Sequence, residues 1–260
     1  MTANPVLIKE IRTRLRSKKA RTIQLAIGIP AVLVILACYV RLIMGLSALK
    51  DDVGEVWLMA AMLQLALISL LAPGLLANAI SQEKEQRTWG LLLITRLSSW
   101  QIISGKLLAR LVPIPIIMVL FVPFMAYSAF ASGIKWQIMM GTYAILLSTV
   151  LLFAVQALFW SWVMKRTSTA VAASYGFVFL VTAGTGIVEG LANVATSRNS
   201  PTMLSWFNPF YAMGNLLDIS SDSVYQDAVW QTIFFTFVSV AVSAVLLLIM
   251  KRWLNKVQAD

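Results

Sequence analysis

Six long apolar runs restrict what this sequence can fold into. Each is long enough to cross about 30 Å of hydrocarbon, which takes about 20 helical residues. Only 12% of the residues are charged, against about 25% in soluble domains. Because lipid cannot bond to the backbone, membrane-crossing segments favour helices. We therefore predict an all-α polytopic membrane protein with six transmembrane helices, at residues 22–44, 56–80, 103–130, 136–164, 168–195 and 228–250.

The distribution of lysine and arginine predicts the orientation of these spans. With the N-terminus in the cytoplasm, seventeen of the 21 basic residues fall on the inner side. Cytoplasmic loops of membrane proteins carry such an excess. Tryptophans fall near the predicted membrane boundaries and none lies in the middle of a span, as in an aromatic belt. We therefore expect both termini to be cytoplasmic.

The segment before the first span, residues 1–21, is strongly basic. It carries seven positive charges and one acid, Glu10, and its apolar residues recur at roughly helical spacing. This pattern predicts an amphipathic helix lying in the membrane interface. The alternative is a basic tail that only sets the topology.

The residue types present exclude several classes of site. The chain has one cysteine, Cys38, and no histidine, so the usual ligands of zinc and haem and the usual nucleophile–base pairs are missing. The glycine-rich loop that cradles nucleotide phosphates is also missing. The net charge of +10 lies beside apolar runs, where it faces anionic lipid rather than nucleic acid. We predict no catalytic, cofactor or metal site in this chain and no nucleic acid partner.

Ionisable residues are missing from the centres of the predicted spans. Arg41 and Glu189 are expected to reach the outer headgroups and Arg110 the inner ones, because long side chains snorkel. A proton pump or ion-coupled carrier normally keeps such a residue at mid-membrane, which suggests another energy source. The sparse polar residues there could line a substrate path or hold the helices together; the candidates for lining are Gln64, Ser69, Ser148 and Thr149.

The connector between the second and third spans, residues 81–102, joins a charged stretch to an apolar–polar one. Trp89, Leu92, Leu93 and Leu97 recur at i, i+3, i+4 and i+8, which favours one face of a helix. We predict a cytoplasmic amphipathic helix over residues 89–97; the alternative is an ordinary interfacial loop.

The external segment between the fifth and sixth spans, residues 198–227, is rich in aromatic residues. Trp206, Phe207, Phe210 and Tyr211 surround Asn208-Pro209. They predict short hairpins that dip into the outer leaflet, or an external loop held by its aromatic residues.

Several motifs in these segments resemble the permease subunits of ABC-2 type transporters. They are the run from Ile80 to Leu92, Leu97-Ser98-Ser99, and Gly105-Lys106. The start, Asn4-Pro5 to Arg12, and the element Ser205–Tyr211 are also similar to these permeases. The resemblance covers essentially the whole chain, although Arg96-Leu97 stands where many members have a proline near the serine.

The resemblance implies a single transmembrane domain over residues 1–260, in the bacterial cytoplasmic membrane. A separate ABC ATPase subunit would bind ATP-Mg and drive export, and this chain would pair with a second permease copy or a paralogue. The chain itself would not be an enzyme. The connector would dock the ATPase through Gln82, Glu83, Lys84, Glu85, Arg87 and Thr88. The external cap of the pathway would comprise Trp206, Phe207, Asn208, Pro209, Phe210 and Tyr211.

Two other functions are open to such a sequence. A membrane subunit that transmits ATPase-driven change to another protein, without moving a solute, would look the same. An intramembrane enzyme on lipid-linked substrates would need paired acids or a histidine facing a cavity, and the sequence offers neither pattern.

Overall fold

A computed structural model describes residues 50–90, 98–196, 203–217 and 222–259. Every regular element within these ranges is helical. The predicted interfacial helix at 1–21, the first span at 22–44 and residues 91–97 of the predicted amphipathic helix lie outside the described residues. The elements are α1 (Lys50–Leu76), α2 (Ser81–Glu85), α3 (Ser99–Leu111), α4 (Pro113–Ser132), α5 (Trp136–Val163), α6 (Thr167–Phe179), a π segment (Leu180–Gly184), α7 (Thr185–Thr196), a 3-10 turn (Met203–Phe207), α8 (Pro209–Leu217) and α9 (Asp222–Ala259).

Five described stretches are long and apolar enough to cross a membrane. They coincide with the second to sixth predicted spans and confirm them as membrane-length helices. The largest differences are later ends of the sixth span, where the helix continues into exposed basic residues, and of the second span, which runs on into the connector; the third span also starts earlier. The stretches are Trp57–Glu85, Ser99–Phe130, Trp136–Val163, Thr167–Ala195 and Gln226–Lys256.

Local signals explain the boundaries of the third span. Ser98 and Gln101 form a capping box: the Ser98 hydroxyl accepts from the Gln101 N–H, and the Gln101 side chain accepts from the Ser98 N–H. This box starts α3 at Ser99, four residues before the predicted start. Pro113 then ends α3 and begins α4, because proline lacks the N–H that would continue the first helix.

Helix α5 is the centre of the bundle. It packs against α1, α6 and α9, and its buried face includes Phe153 and the small residues Ala154 and Ala157. Trp57 is fully buried on α1 and donates its indole N–H to the carbonyl of Met125 on α4, at 3.2 Å. In lipid, such close packing and interhelical hydrogen bonds hold helices together.

The fifth span, formed by α6, the π segment and α7, is the least buried of the five described spans. Within one copy of the chain, 11% of its most apolar stretch is buried, against 61% for the fourth span. The π segment interrupts the helix at Leu180–Gly184. Gly184 within it and Gly186 just after it both favour a looser helix. The bundle therefore combines a well-packed centre with one weakly packed and irregular helix.

Candidate functional site

Helix α2 of the connector begins against the fourth span. The Ser161 hydroxyl of α5 accepts from the N–H of Ile80 at 2.8 Å and from the N–H of Ser81 at 3.0 Å. All three residues are fully buried. Because the first N–H groups of a helix have no acceptor within it, Ser161 supplies a cap from a helix about eighty residues further along the chain.

Helix α2 ends in a Schellman motif. The N–H of Arg87 bonds to the carbonyl of Lys84, and the N–H of Thr88 bonds to the carbonyl of Glu83. Arg87 takes a left-handed conformation with φ of 57°, the only such non-glycine residue in the described ranges. Glycine usually occupies this position, because a side chain there costs about 1 kcal/mol.

Two contacts join α2 to the adjoining ends of the fourth and fifth spans. The carboxylate of Glu85 accepts from the backbone N–H of Thr167 at 2.8 Å and from its hydroxyl at 2.7 Å. Lys84 donates through Nζ to the carbonyl of Trp162. A carboxylate suits the start of α6, because the N-terminus of a helix carries partial positive charge.

The third span contributes two buried cations to the same end of the bundle. Lys106 is 1% exposed and forms an ion pair with Glu83, and its Nζ also donates to the carbonyl of Ala79 at 3.4 Å. Arg110, predicted to extend toward the inner headgroups, is instead 7% exposed. Its guanidinium donates to the carbonyl of Leu75 at 3.1 Å and to the Asn78 side chain.

The position of these cations has a simple electrostatic cause. The last carbonyls of α1 have no intrahelical donors, and the C-terminus of a helix carries partial negative charge. Arg110 bonds to the Leu75 carbonyl in the last turn of α1, and both cations bond to the Ala79 carbonyl just after it, so they bring donors and positive charge to this end of α1. The connector thus rests on a junction of the second, third, fourth and fifth spans, which we call the connector junction: Ser161, Thr167, Lys106, Arg110 and α2.

The six residues expected to dock an ATPase divide into two sets. Glu83, Lys84 and Glu85 are bonded to the third, fourth and fifth spans of their own chain. The side chain of Glu85 is nevertheless exposed, as are those of Gln82, Arg87, Thr88 and the neighbouring Gln86. The exposed set therefore forms the polar surface of the connector.

A second contact between spans two and five lies near the middle of the second span. The Tyr175 hydroxyl donates to the carbonyl of Leu70 at 2.8 Å. Gly74 makes room for this ring, since a Cβ at position 74 would lie 2.7 Å from the Tyr175 oxygen. Pro73 beside it interrupts the hydrogen-bond ladder of α1.

Asn208 organises the described part of the external segment. Its side-chain oxygen accepts from the N–H of Phe210 at 2.9 Å, which makes it the N-cap of α8, with Pro209 as the first helical residue. Its amide nitrogen donates to the carbonyl of Thr182 and to the hydroxyl of Thr185, both at 2.9 Å. One side chain therefore joins α8 to the π segment of the fifth span.

Aromatic residues fix the rest of this segment. Trp206 and Phe207 both pack edge-on against Phe234 of α9, at centroid distances of 5.4 and 5.5 Å. Burial, with the nearby charge of Glu189, raises the pKa of Tyr211. Glu189, expected at the outer headgroups, is buried in the bundle. These contacts hold the 3-10 turn and α8 against the spans.

The four residues proposed to line a path are buried. Hydroxyls of three of them bond to carbonyls of their own helix: Ser69 to Leu65, Ser148 to Ala144 and Thr149 to Ile145. The amide of Gln64 has no hydrogen-bond partner among the described residues. A cleft of about 810 Å³ opens elsewhere, between the first turns of α5 and α9, with Gln137, Gln226 and Thr232 as its polar residues.

Across the described ranges, no three His, Cys, Asp or Glu side chains lie close enough together to hold a metal ion. The chain matches the family of ABC-2 family transporter proteins over residues 5–253. No curated protein matches the sequence significantly.

Proposed function

Because the chain belongs to the ABC-2 transporter family, we propose that it is the permease subunit of an exporter driven by a separate ATPase subunit. Family membership makes it an integral multi-pass membrane component of a transporter rather than a catalytic enzyme. We further propose that two permease chains pair in the bacterial cytoplasmic membrane, with both termini in the cytoplasm and ATP-Mg bound only by the partner ATPases.

The observation that carries this proposal is the way the connector is held. Ser161 and Lys106 hold α2 against the spans through buried contacts. The side chains of Gln82, Gln86, Arg87 and Thr88 leave a polar face of the connector exposed. A short helix with a fixed base and an exposed polar face suits a partner that must bind it and displace it. In the proposed orientation this face lies in the cytoplasm, where an ATPase is available.

Arg87 supports the same interpretation. An exposed arginine occupies a left-handed position at which glycine would avoid a cost of about 1 kcal/mol. Strained positions of this kind gather at functional sites. We propose that the guanidinium of Arg87 pairs with an acidic group of the ATPase.

We expect Arg87→Gly to separate docking from stability. The change removes the guanidinium and relieves the backbone, so the free energy of unfolding should stay the same or rise by up to about 1 kcal/mol. Capture of the ATPase should weaken about tenfold, because a charge-assisted contact is lost. The chain would be expressed with an affinity tag in cells of the organism that encodes it, and purified in mild detergent. The preparation would then be assayed for co-purified ATPase and for ATP hydrolysis.

The control is Lys251→Gln, which removes an exposed positive charge beyond the apolar part of α9. Glutamine is used there because a glycine within α9 would destabilise the helix. This control should capture the ATPase as the wild-type chain does. Equal capture by Arg87→Gly would remove Arg87 from the docking surface. Absence of any ABC ATPase from the wild-type preparation would contradict the proposed function itself.

A further inference from the structure

The fifth span is attached to the connector through its first residue. Glu85 of α2 accepts both the backbone N–H and the hydroxyl of Thr167, at 2.8 and 2.7 Å. Two bonds to one carboxylate fix the direction of α2 relative to α6 as well as their distance. A displacement of α2 therefore acts directly on the first turn of the fifth span.

Packing determines which span can respond to such a displacement. The fourth span is the well-buried centre of the bundle, whereas the fifth has few buried residues within one copy of the chain. Moving a helix disrupts the side-chain contacts it makes, and close-packed interiors resist even small shifts. The fifth span can therefore move at a lower cost than α5, although α2 contacts both.

The π segment gives the fifth span a place to change shape. A π turn holds one residue more than an α turn, is rare, and often occurs at functional sites. The hydroxyls of Thr182 and Thr185 bond to the carbonyls of Val178 and Val181 around this turn. These bonds give two carbonyls around the irregular turn a side-chain donor.

The external segment is attached at this same turn. Asn208 donates to the Thr182 carbonyl and the Thr185 hydroxyl, and it caps α8 through the Phe210 N–H. A change in the π segment would therefore alter the cap of α8. The fifth span is thus bonded to the connector at one end and to the external segment at its irregular middle.

We propose that the fifth span carries displacement of the connector to the external segment, with Glu85 and Asn208 as the positioning residues at its two attachments. The proposal rests on the proposed function, because it takes a bound ATPase as the source of the displacement. It assigns Glu85, which is exposed but bonded to Thr167, to coupling within the chain and leaves docking to Gln82, Arg87 and Thr88.

The test follows the external segment while the ATPase is cycled. Met203, which is 89% exposed in the 3-10 turn, is replaced by cysteine in a Cys38→Ser chain and carries an environment-sensitive fluorophore. The complex with its co-purified ATPase is placed in lipid nanodiscs, and fluorescence is compared before and after trapping with ATP and vanadate. The unaltered junction should give a clear change on trapping.

Glu85→Ala and Asn208→Ala should each reduce that change about fivefold, while capture of the ATPase stays within about twofold of the parent. Glu85→Gln keeps an oxygen that accepts from Thr167, so it should retain most of the signal and guard against a folding defect in the alanine variant. Lys251→Gln, at an exposed residue outside both the connector and the external segment, is the control and should match the parent.

The outcomes separate the two proposals. A full fluorescence change in Glu85→Ala, with the ATPase bound and active, would overturn the coupling proposal and leave the proposed function intact. A parent complex that hydrolyses ATP but shows no change at position 203 would overturn it too. Failure of the parent chain to bind any ATPase would remove the proposed function and the coupling proposal together.

Discussion

Replacing Lys106 with methionine should lower the free energy of unfolding by about 2–3 kcal/mol. Methionine keeps the length of the apolar stem but removes the charge that pairs with Glu83 and the donor to the Ala79 carbonyl. Removing one partner of a buried pair leaves the other charge poorly compensated. Glu83 is partly exposed, which places the expected loss below the values for fully buried pairs. Reversible unfolding in mixed micelles with increasing SDS would measure it.

A double variant tests the cause of this loss. Adding Glu83→Gln to Lys106→Met removes the uncompensated carboxylate, so the double variant should be less destabilised than the sum of the single changes by about 1 kcal/mol or more. Lys251→Met, at an exposed lysine of the sixth span, should change stability by less than about 0.5 kcal/mol. A Lys106→Met chain as stable as the wild type would show that the pair contributes nothing.

Ser161→Ala should cost about 2–4 kcal/mol, because it leaves two buried backbone donors without an acceptor. The N–H groups of Ile80 and Ser81 both bond to the Ser161 hydroxyl, and each unsatisfied buried group costs about 1–3 kcal/mol. The same SDS titration would measure the loss. Hydrogen exchange should also locate it, with faster exchange at Ile80 and Ser81 than in the wild type.

Ser148→Ala is the matched control for this change. Ser148 is also buried on α5, but its hydroxyl only donates to carbonyls of its own helix. Those carbonyls keep their helical bonds, so the expected cost is below about 1 kcal/mol. Equal losses for the two serine variants would mean that the cap on α2 is energetically unimportant.

The second to sixth spans were predictable because hydrophobicity and length are local properties of a sequence. The same holds for the proline break at Pro113 and for the capping box at Ser98, whose S-x-x-Q pattern is a local signal for the start of the third span. Asn208-Pro209 similarly carries its own signal for a helix start. In each case the residues that decide the structure are neighbours in the chain.

The connector junction was not predictable in the same way. Nothing around Ser161 marks it as a cap for residues about eighty positions away. Thr167 is a common residue at a helix start, yet its bond to Glu85 depends on how two distant helices pack. Arg110 was expected to reach the inner headgroups, but it is buried and bonds to the Leu75 carbonyl of α1. Charged residues near a membrane boundary are ambiguous until their neighbours in space are known.

The distant cap on α2 has a consequence for biosynthesis. The connector leaves the ribosome about eighty residues before Ser161 does, so two of its N–H groups stay without their final acceptor while the third span and most of the fourth are made. Because chains fold progressively during synthesis, the connector reaches its final form only after the fourth span has been inserted. The complete connector surface therefore forms only when membrane insertion is well advanced. A nascent chain stopped before residue 161 would present an incomplete connector.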